Sequence, residues 1–228
     1  MRAVELDAVR VVYRSGWSIR ALLRGDPAST SRVALDGLSL VVGPGESVGL
    51  TGPNGAGKTT VLRVLAGLVV PVAGAARVAG VDVAAEPTRV AARVGFVSVD
   101  DRSFFHRLSV WENLRFFAAM YGIGPEDADR KLRRLGALGV DSLLSAPFRV
   151  LSAGQRARVA LARGLLHDPS VLLLDEVTRS MDEASRAGVW GLLEGFCGAG
   201  GAIVVASHDP LDLQRVSRAI TLVDGRLA

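Results

Sequence analysis

A chain of 228 residues with 49 % apolar content has the material for one large domain with a sizeable core, or for two small ones. Its single cysteine, Cys197, excludes an intrachain disulfide or a cysteine zinc site and fits a reducing compartment, while a net charge of +4 on scattered arginines gives no block pointing to nucleic acid. The longest near-continuous apolar stretch, residues 64–76, is broken by Gly67, Pro71 and Gly74 and falls short of the roughly 18 residues of a membrane-spanning helix, and Glu5 and Asp7 stand where a secretory leader would be apolar, so a soluble, cytoplasmic chain is expected.

Residues 1–12 alternate enough (Val4, Leu6, then Val9 and Val11) to predict an edge strand that ends at Tyr13. A loop or short amphipathic piece follows over 14–31, with Trp17, Ile19, Leu22 and Leu23 among arginines, closed by the turn-rich run 25–31. Residues 33–42 predict a second strand, and Gly43-Pro44-Gly45 turns the chain into a third, Ser47-Val48-Gly49-Leu50.

That third strand feeds Gly52-Pro53-Asn54-Gly55-Ala56-Gly57-Lys58-Thr59-Thr60, after which residues 60–66 have helical spacing. Strand, glycine-rich turn and helix form the context of a phosphate-binding loop. The glycines allow backbone N–H groups to converge as an anion-binding nest at a helix N-terminus. Lys58 is then expected to reach the β- and γ-phosphates of a nucleotide, and the Thr59 hydroxyl to meet Mg²⁺.

Beyond the loop, 74–83 reads as a hairpin strand and 94–98 as another strand. From 109 to 168 the pattern is helical, with segments at 110–121, 126–139 and 152–167. Alternation resumes with strand 171–174, helix 182–197, strand 202–206, helix 211–217 and strand 220–223. This order predicts parallel βαβ units, an α/β fold with a helical insert at 109–168. Val171-Leu172-Leu173-Leu174-Asp175-Glu176 is an apolar strand ending in two acids, and acids at a strand's carboxyl end project into the crevice where α/β sheets bind ligands. Asp175 is expected to hold Mg²⁺ and Glu176 to act on the attacking water as general base.

These motifs, taken in order, resemble the nucleotide-binding subunits of ABC transporters, most closely the exporter type. The resemblance covers the chain from Tyr13 to Arg226 as a single ATPase unit, 1–228: a P-loop NTPase core with a mostly parallel sheet, an antiparallel β subdomain and an inserted helical subdomain. Leu151-Ser152-Ala153-Gly154-Gln155 is similar to the family's signature, with alanine for its first glycine. The resemblance implies that Ser152, Gly154 and Gln155 act on the nucleotide of a second subunit; on its own residues Ser152 is equally an N-cap. Ser180-Met181-Asp182 corresponds to the family's dimer-contacting loop, and Ala206-Ser207-His208-Asp209 to its switch histidine, which implies that His208 orients Glu176 and water. His106 and His167 have no such support. Tyr13 stands where the family stacks an aromatic ring on adenine, or else it is a strand-end core residue.

One departure touches the metal site, and smaller ones, Val177 and Ala153, remove no reactive group. The family's metal-touching glutamine is replaced by Val99; either Asp100 takes over part of that role, or Asp100 and Asp101 are solvated loop acids. Val177 replaces the proline that usually follows the glutamate. Residues 102–114 resemble the segment by which exporter subunits meet their membrane partner, the alternative being that Phe104 and Phe105 simply pack the insert. The implied function is an ATP-hydrolysing motor that dimerises around two ATP-Mg²⁺ and drives separate permease subunits from the inner face of the membrane. The rivals are a low-turnover regulatory ATP-binding subunit and a non-transport mechanical ATPase of the same superfamily.

Overall fold

The computed structural model describes residues 2–14, 31–98, 103–179 and 181–228. In chain order its elements are β1 (Val4–Arg14), β2 (Ser31–Val42), β3 (Ser47–Thr51), α1 (Lys58–Leu65), β4 (Ala73–Val78), β5 (Val81–Asp82), α2 (Pro87–Ala91) and β6 (Val94–Ser98). The second half contributes α3 (Val110–Met120), α4 (Pro125–Arg134), α5 (Ala153–Leu165), β7 (Val171–Asp175), α6 (Glu183–Gly198), β8 (Ala202–Ala206), α7 (Pro210–Leu213), β9 (Arg218–Val223) and β10 (Arg226–Leu227).

Ten strands make two sheets among the described residues. The larger runs β10-β9-β3-β8-β7-β6, parallel throughout except for β10, and the smaller is an antiparallel sheet β2-β1-β4-β5. β1 therefore lies inside its sheet, paired with β2 on one side and β4 on the other, rather than at an edge. Alternation reports which face is buried but not how many neighbours a strand has, and the small residues of Ala73-Gly74-Ala75-Ala76 give β4 little strand signal of its own.

The large sheet is buried on both faces, and period-two geometry sorts its side chains. Leu173 and Val204 join Leu35, Leu62 and Val83 under the antiparallel sheet and α1. Leu172, Leu174, Ile203 and Val205 point the other way, into a second core completed by α3, α5 and α6. α5 reaches the sheet through two glycines. A Cβ at Gly95 would fall 2.2 Å from the Gly164 carbonyl oxygen, and one at Gly164 would fall 2.6 Å from a Val97 methyl.

The expected elements are present with shifted ends: β2 and β9 each open two residues earlier than expected, and the strand expected over 74–83 is divided into β4 and β5. The helix expected over 126–139 stops at Arg134 and continues as a single tight turn over Gly136–Leu138. The one expected over 211–217 is only Pro210–Leu213, with Asp209 capping it and β9 opening at Arg218. No helix among the described residues is long and apolar enough to cross a membrane. Residues 15–30, Val99, Asp100, Asp101, Arg102 and Ser180 lie outside the described residues, so the expectations on them are carried by sequence alone.

Candidate active site

Parallel register brings the site together. Leu50 of β3 is opposite Ala206 of β8, and Ala206 is opposite Asp175 of β7. Three strands thus end side by side, and the residues that follow, Gly52 to Thr60, Glu176 and His208, leave the same edge of the sheet. This is the crevice at the carboxyl ends of strands where open α/β sheets bind ligands.

The loop after β3 requires its glycines for space as well as conformation. Gly52 has φ 133° and a Cβ there would lie 2.1 Å from the Leu222 carbonyl oxygen; Gly57 has φ 108° and would place a Cβ 2.7 Å from that of Ala34. Gly57 is the N-cap of α1 and offers no capping side chain. The first-turn N–H groups of α1 are consequently presented to an anion. Lys58 is buried, and its Nζ donates to the carbonyls of Gly52 (2.6 Å) and Pro53 (3.1 Å), folding the ammonium back across the loop.

Opposite the loop, the Thr59 hydroxyl donates to Asp175 Oδ1 at 3.4 Å. Burial pushes the Asp175 carboxyl up from its ordinary range, Glu176 adds to that, and the Thr59 bond with Lys58 and Arg63 works against it. A half-buried carboxylate beside a hydroxyl is a pair of hard oxygen donors, the chemistry that suits Mg²⁺, and a cation there would reverse the cost of burial. Glu176 has a left-handed backbone, φ 52°, a conformation that costs a non-glycine residue on the order of 1 kcal/mol and clusters at functional sites. Its N–H donates to the Ala206 carbonyl, Oε1 lies 3.0 Å from His208 Nδ1, and Oε2 pairs with the Arg179 guanidinium at 3.0 Å.

A cleft of about 190 Å³ is lined by Asn54, Gly55, Gly57, Lys58, Thr59, Thr60, Asp175 and Glu176, together with Tyr13, Arg32 and Ala34 of the antiparallel sheet. Pro53 and Ala56 complete the loop, Ala56 N–H donating to the Pro53 carbonyl and Ala56 itself buried. Tyr13 is exposed at the mouth rather than packed into the core. Arg32 carries no signal of its own in the sequence. It is the cross-strand partner of Tyr13 and donates to the Gly55 carbonyl at 3.2 Å, a placement that only the β1–β2 register reveals. Arg179 likewise carries no signal apart from its spacing of three from Glu176.

Ser152, Gly154, Gln155 and Asp182 do not line this cleft. Ser152 opens α5 in a reciprocal cap: its hydroxyl accepts from Gln155 N–H at 3.3 Å, and Gln155 Oε1 accepts from Ser152 N–H at 2.9 Å. Asp182 caps α6 by accepting from Ser185 N–H, which holds its carboxyl low. Both helix starts are exposed. Phe104 is buried and stacks on Phe148, packing the insert, whereas Phe105 is half-exposed and sits edge-on to Phe116. His167 stacks on Tyr121 and faces the Val94 carbonyl, away from the cleft.

Residues 35–179 match the ABC transporter family. The chain belongs to that family. It is 36 % identical over 193 residues to Nod factor export ATP-binding protein I of Cupriavidus metallidurans, covering 84 % of this chain and 63 % of the relative. It is 35 % identical over 176 residues to the probable multidrug ABC transporter ATP-binding protein YbhF of Escherichia coli, covering 77 % of this chain and 30 % of the relative. The chain thus spans less than two thirds of the length of these relatives. Among solved structures, an ATP-binding cassette dimer in a post-hydrolysis state with ADP and Pi superposes with a TM-score of 0.84 at 26 % identity, covering 98 % of this chain and 96 % of that one. The fold of this ABC family chain is that of an ATP-binding cassette.

Proposed function

We propose that residues 1–228 form one ABC-type ATPase unit, the motor subunit of an exporter. The observation that carries the reading is the shared sheet edge, where a phosphate loop, a hydroxyl–carboxylate pair and a carboxylate–imidazole pair meet. The backbone nest of Gly52 to Thr60 and the Lys58 ammonium hold the β- and γ-phosphates of ATP, with the adenine against Tyr13. Glu176 accepts the proton of a water whose oxygen bonds to the γ-phosphorus as the bond to the β–γ bridging oxygen breaks, giving ADP and phosphate. His208 fixes the orientation of that carboxylate. Thr59 and Asp175 fit Mg²⁺, which when bound neutralises phosphate charge. Asp100 is the third candidate for the metal.

Ser152, Gly154 and Gln155 at the exposed start of α5, with Asp182 at that of α6, act on the nucleotide of a second ATP-binding subunit, identical or related. The dimeric state named for the neighbouring cassette supports this pairing. Separate membrane subunits complete the transporter and hold this chain at the inner face of the membrane. The export-related names of the relatives support the direction, and an apolar cleft of about 380 Å³ lined by Leu68, Phe96, Phe117 and Met120 beside Arg163 supports a docked partner.

The test is ATP hydrolysis by the purified chain beside Glu176→Gln, with size-exclusion chromatography of both in ATP-Mg²⁺. Turnover in the native chain and an ATP-dependent dimer in the variant are expected. Nucleotide binding without turnover, unchanged by Glu176→Gln, would replace the motor reading with the regulatory one.

A further inference from the structure

Asp212 is 1 % exposed, and among the described residues its carboxylate is met by three neutral donors. Thr178 Oγ1 and Ser207 Oγ donate to Oδ2 at 2.5 and 2.8 Å, and Trp190 Nε1 donates to Oδ1 at 2.9 Å. Ser207 Oγ also accepts from Asp209 N–H at 3.1 Å. Trp190, Thr178 and Ser207 are themselves buried. A carboxylate taken out of water without a cation is costly even when it is fully hydrogen-bonded, and an apolar side chain would fill the same space at lower cost. The arrangement calls for a reason other than packing.

The reason lies in where the donors come from. Thr178 is two residues beyond Glu176, and Ser207 immediately precedes His208. Trp190 sits on α6, whose cap is Asp182. One buried side chain therefore ties together the loop that carries the base, the loop that carries the imidazole and the helix that opens at the partner-facing acid. Glu176 depends on such an anchor. Its left-handed backbone is held by its N–H bond to the Ala206 carbonyl and by its own carbonyl, which accepts from Arg179 N–H at 3.3 Å, and its carboxylate is shared between His208 and an exposed Arg179.

We propose that Asp212 is a positioning residue for ATP hydrolysis, its buried carboxylate holding the Glu176 and His208 loops in one register. The proposal rests on the ATPase reading above. Loosening the joint leaves the phosphate loop, and hence ATP binding, intact while spoiling the alignment of base and imidazole.

The experiment uses the full chain and its Asp212→Asn, Asp212→Ala, Thr178→Val and Ser207→Ala variants. It measures kcat and KM for ATP, the Kd of a fluorescent ATP analogue, and the melting temperature. In Asp212→Asn and Thr178→Val, kcat is expected to fall about tenfold or more with KM and Kd unchanged within about twofold, because the alignment of base and imidazole that these bonds maintain is used only in the transition state. Asp212→Asn keeps the shape and lets the two hydroxyls act as acceptors, so it should retain several-fold more activity than Asp212→Ala. In a Glu176→Gln background Asp212→Asn should lower the residual rate by less than about twofold, because the geometry it maintains has lost its base. Should Asp212→Ala not fold, the Thr178 and Ser207 variants carry the same test. An inactive native chain overturns the ATPase reading and this proposal with it. An active native chain whose Asp212→Asn and Thr178→Val variants keep kcat, lose kcat and affinity together, or lose as much in the Glu176→Gln background, overturns this proposal alone.

Discussion

Nδ1 of His208 stands 3.0 Å from Oε1 of Glu176 although the two are 32 residues apart in the chain. The contact follows from β7 and β8 being neighbours with Asp175 opposite Ala206, so that the next residues leave the sheet together. Removing a general base lowers turnover by about 100-fold to 10,000-fold, which is the loss expected for Glu176→Gln. Groups that act as a unit are strongly non-additive, so the Glu176→Gln/His208→Ala double variant should fall within about threefold of the slower single variant. Phosphate release under steady-state conditions measures all three, and additive losses would show that the pair acts separately.

Arg179 grips the other oxygen of Glu176, but from solvent: two thirds of its side chain is exposed, at 66 %. Exposed ion pairs contribute about 0–1 kcal/mol, so Arg179→Ala should change kcat by no more than about fivefold in either direction. A loss approaching that of Glu176→Gln would make Arg179 part of the machinery instead of a bystander.

Lys58 folds onto the carbonyls of Gly52 and Pro53 and is positioned to exchange them for phosphate oxygens. Hydrogen bonds to charged groups are each worth about 1.5–3 kcal/mol, so Lys58→Ala should weaken ATP binding by about 10-fold to 100-fold. Titration calorimetry reads this directly, with the melting temperature of the nucleotide-free variant as the control for folding.

The Asp175 carboxyl is pushed up by burial, so the folded chain holds that proton more tightly than the unfolded chain does. Its contribution to stability is therefore fully present below the ordinary value of 3.8 and is lost as pH rises through the raised native value. Asp175→Asn, neutral at every pH, is expected to be more stable than the native chain at pH 7 without metal or nucleotide, with the difference shrinking as pH falls toward 3.8. Added ATP-Mg²⁺ should raise the melting temperature of the native chain more than that of the variant. Thermal melts across pH, with and without ligand, give both signs.

Gly95 and Gly164 set the distance between β6 and α5. Because a Cβ at Gly95 would meet backbone, Gly95→Ala should cost about 1–3 kcal/mol, the usual range for overpacking. Chemical denaturation measures the loss. α5 begins at Ser152, so ATP-dependent dimerisation should weaken in the same variant while nucleotide binding by the separated chain persists.

Local chemistry made the phosphate loop readable from sequence: glycine spacing, Lys58 and Thr59 specify it without reference to distant residues. The same holds for β7, whose apolar run and terminal acids declare a buried strand and its active end. Other features depend on pairings that no local pattern encodes. β1 looks like an edge because β4 is nearly mute, and Arg32 reaches the cleft only through its register with Tyr13. Asp212 reads as an ordinary polar residue in a short helix, and its burial follows from three donors on three separate elements. The four residues of α7 fall short of the expected 211–217, and within that span Ser217 N–H is already bonded to Ser47 of β3, ahead of the β9–β3 pairing that begins at Arg218.

The phosphate loop is completed from far along the chain. Gly225 N–H donates to the Ala56 carbonyl, Asp36 N–H donates to the Gly225 carbonyl, and Leu222 backs directly onto Gly52. During vectorial synthesis the ribosome therefore delivers the loop about 165 residues before its buttress, and a nascent chain must hold those glycines open until residue 225 emerges. ATP capture should therefore become possible only once residue 225 has emerged and docked, not on synthesis of residues 52–60.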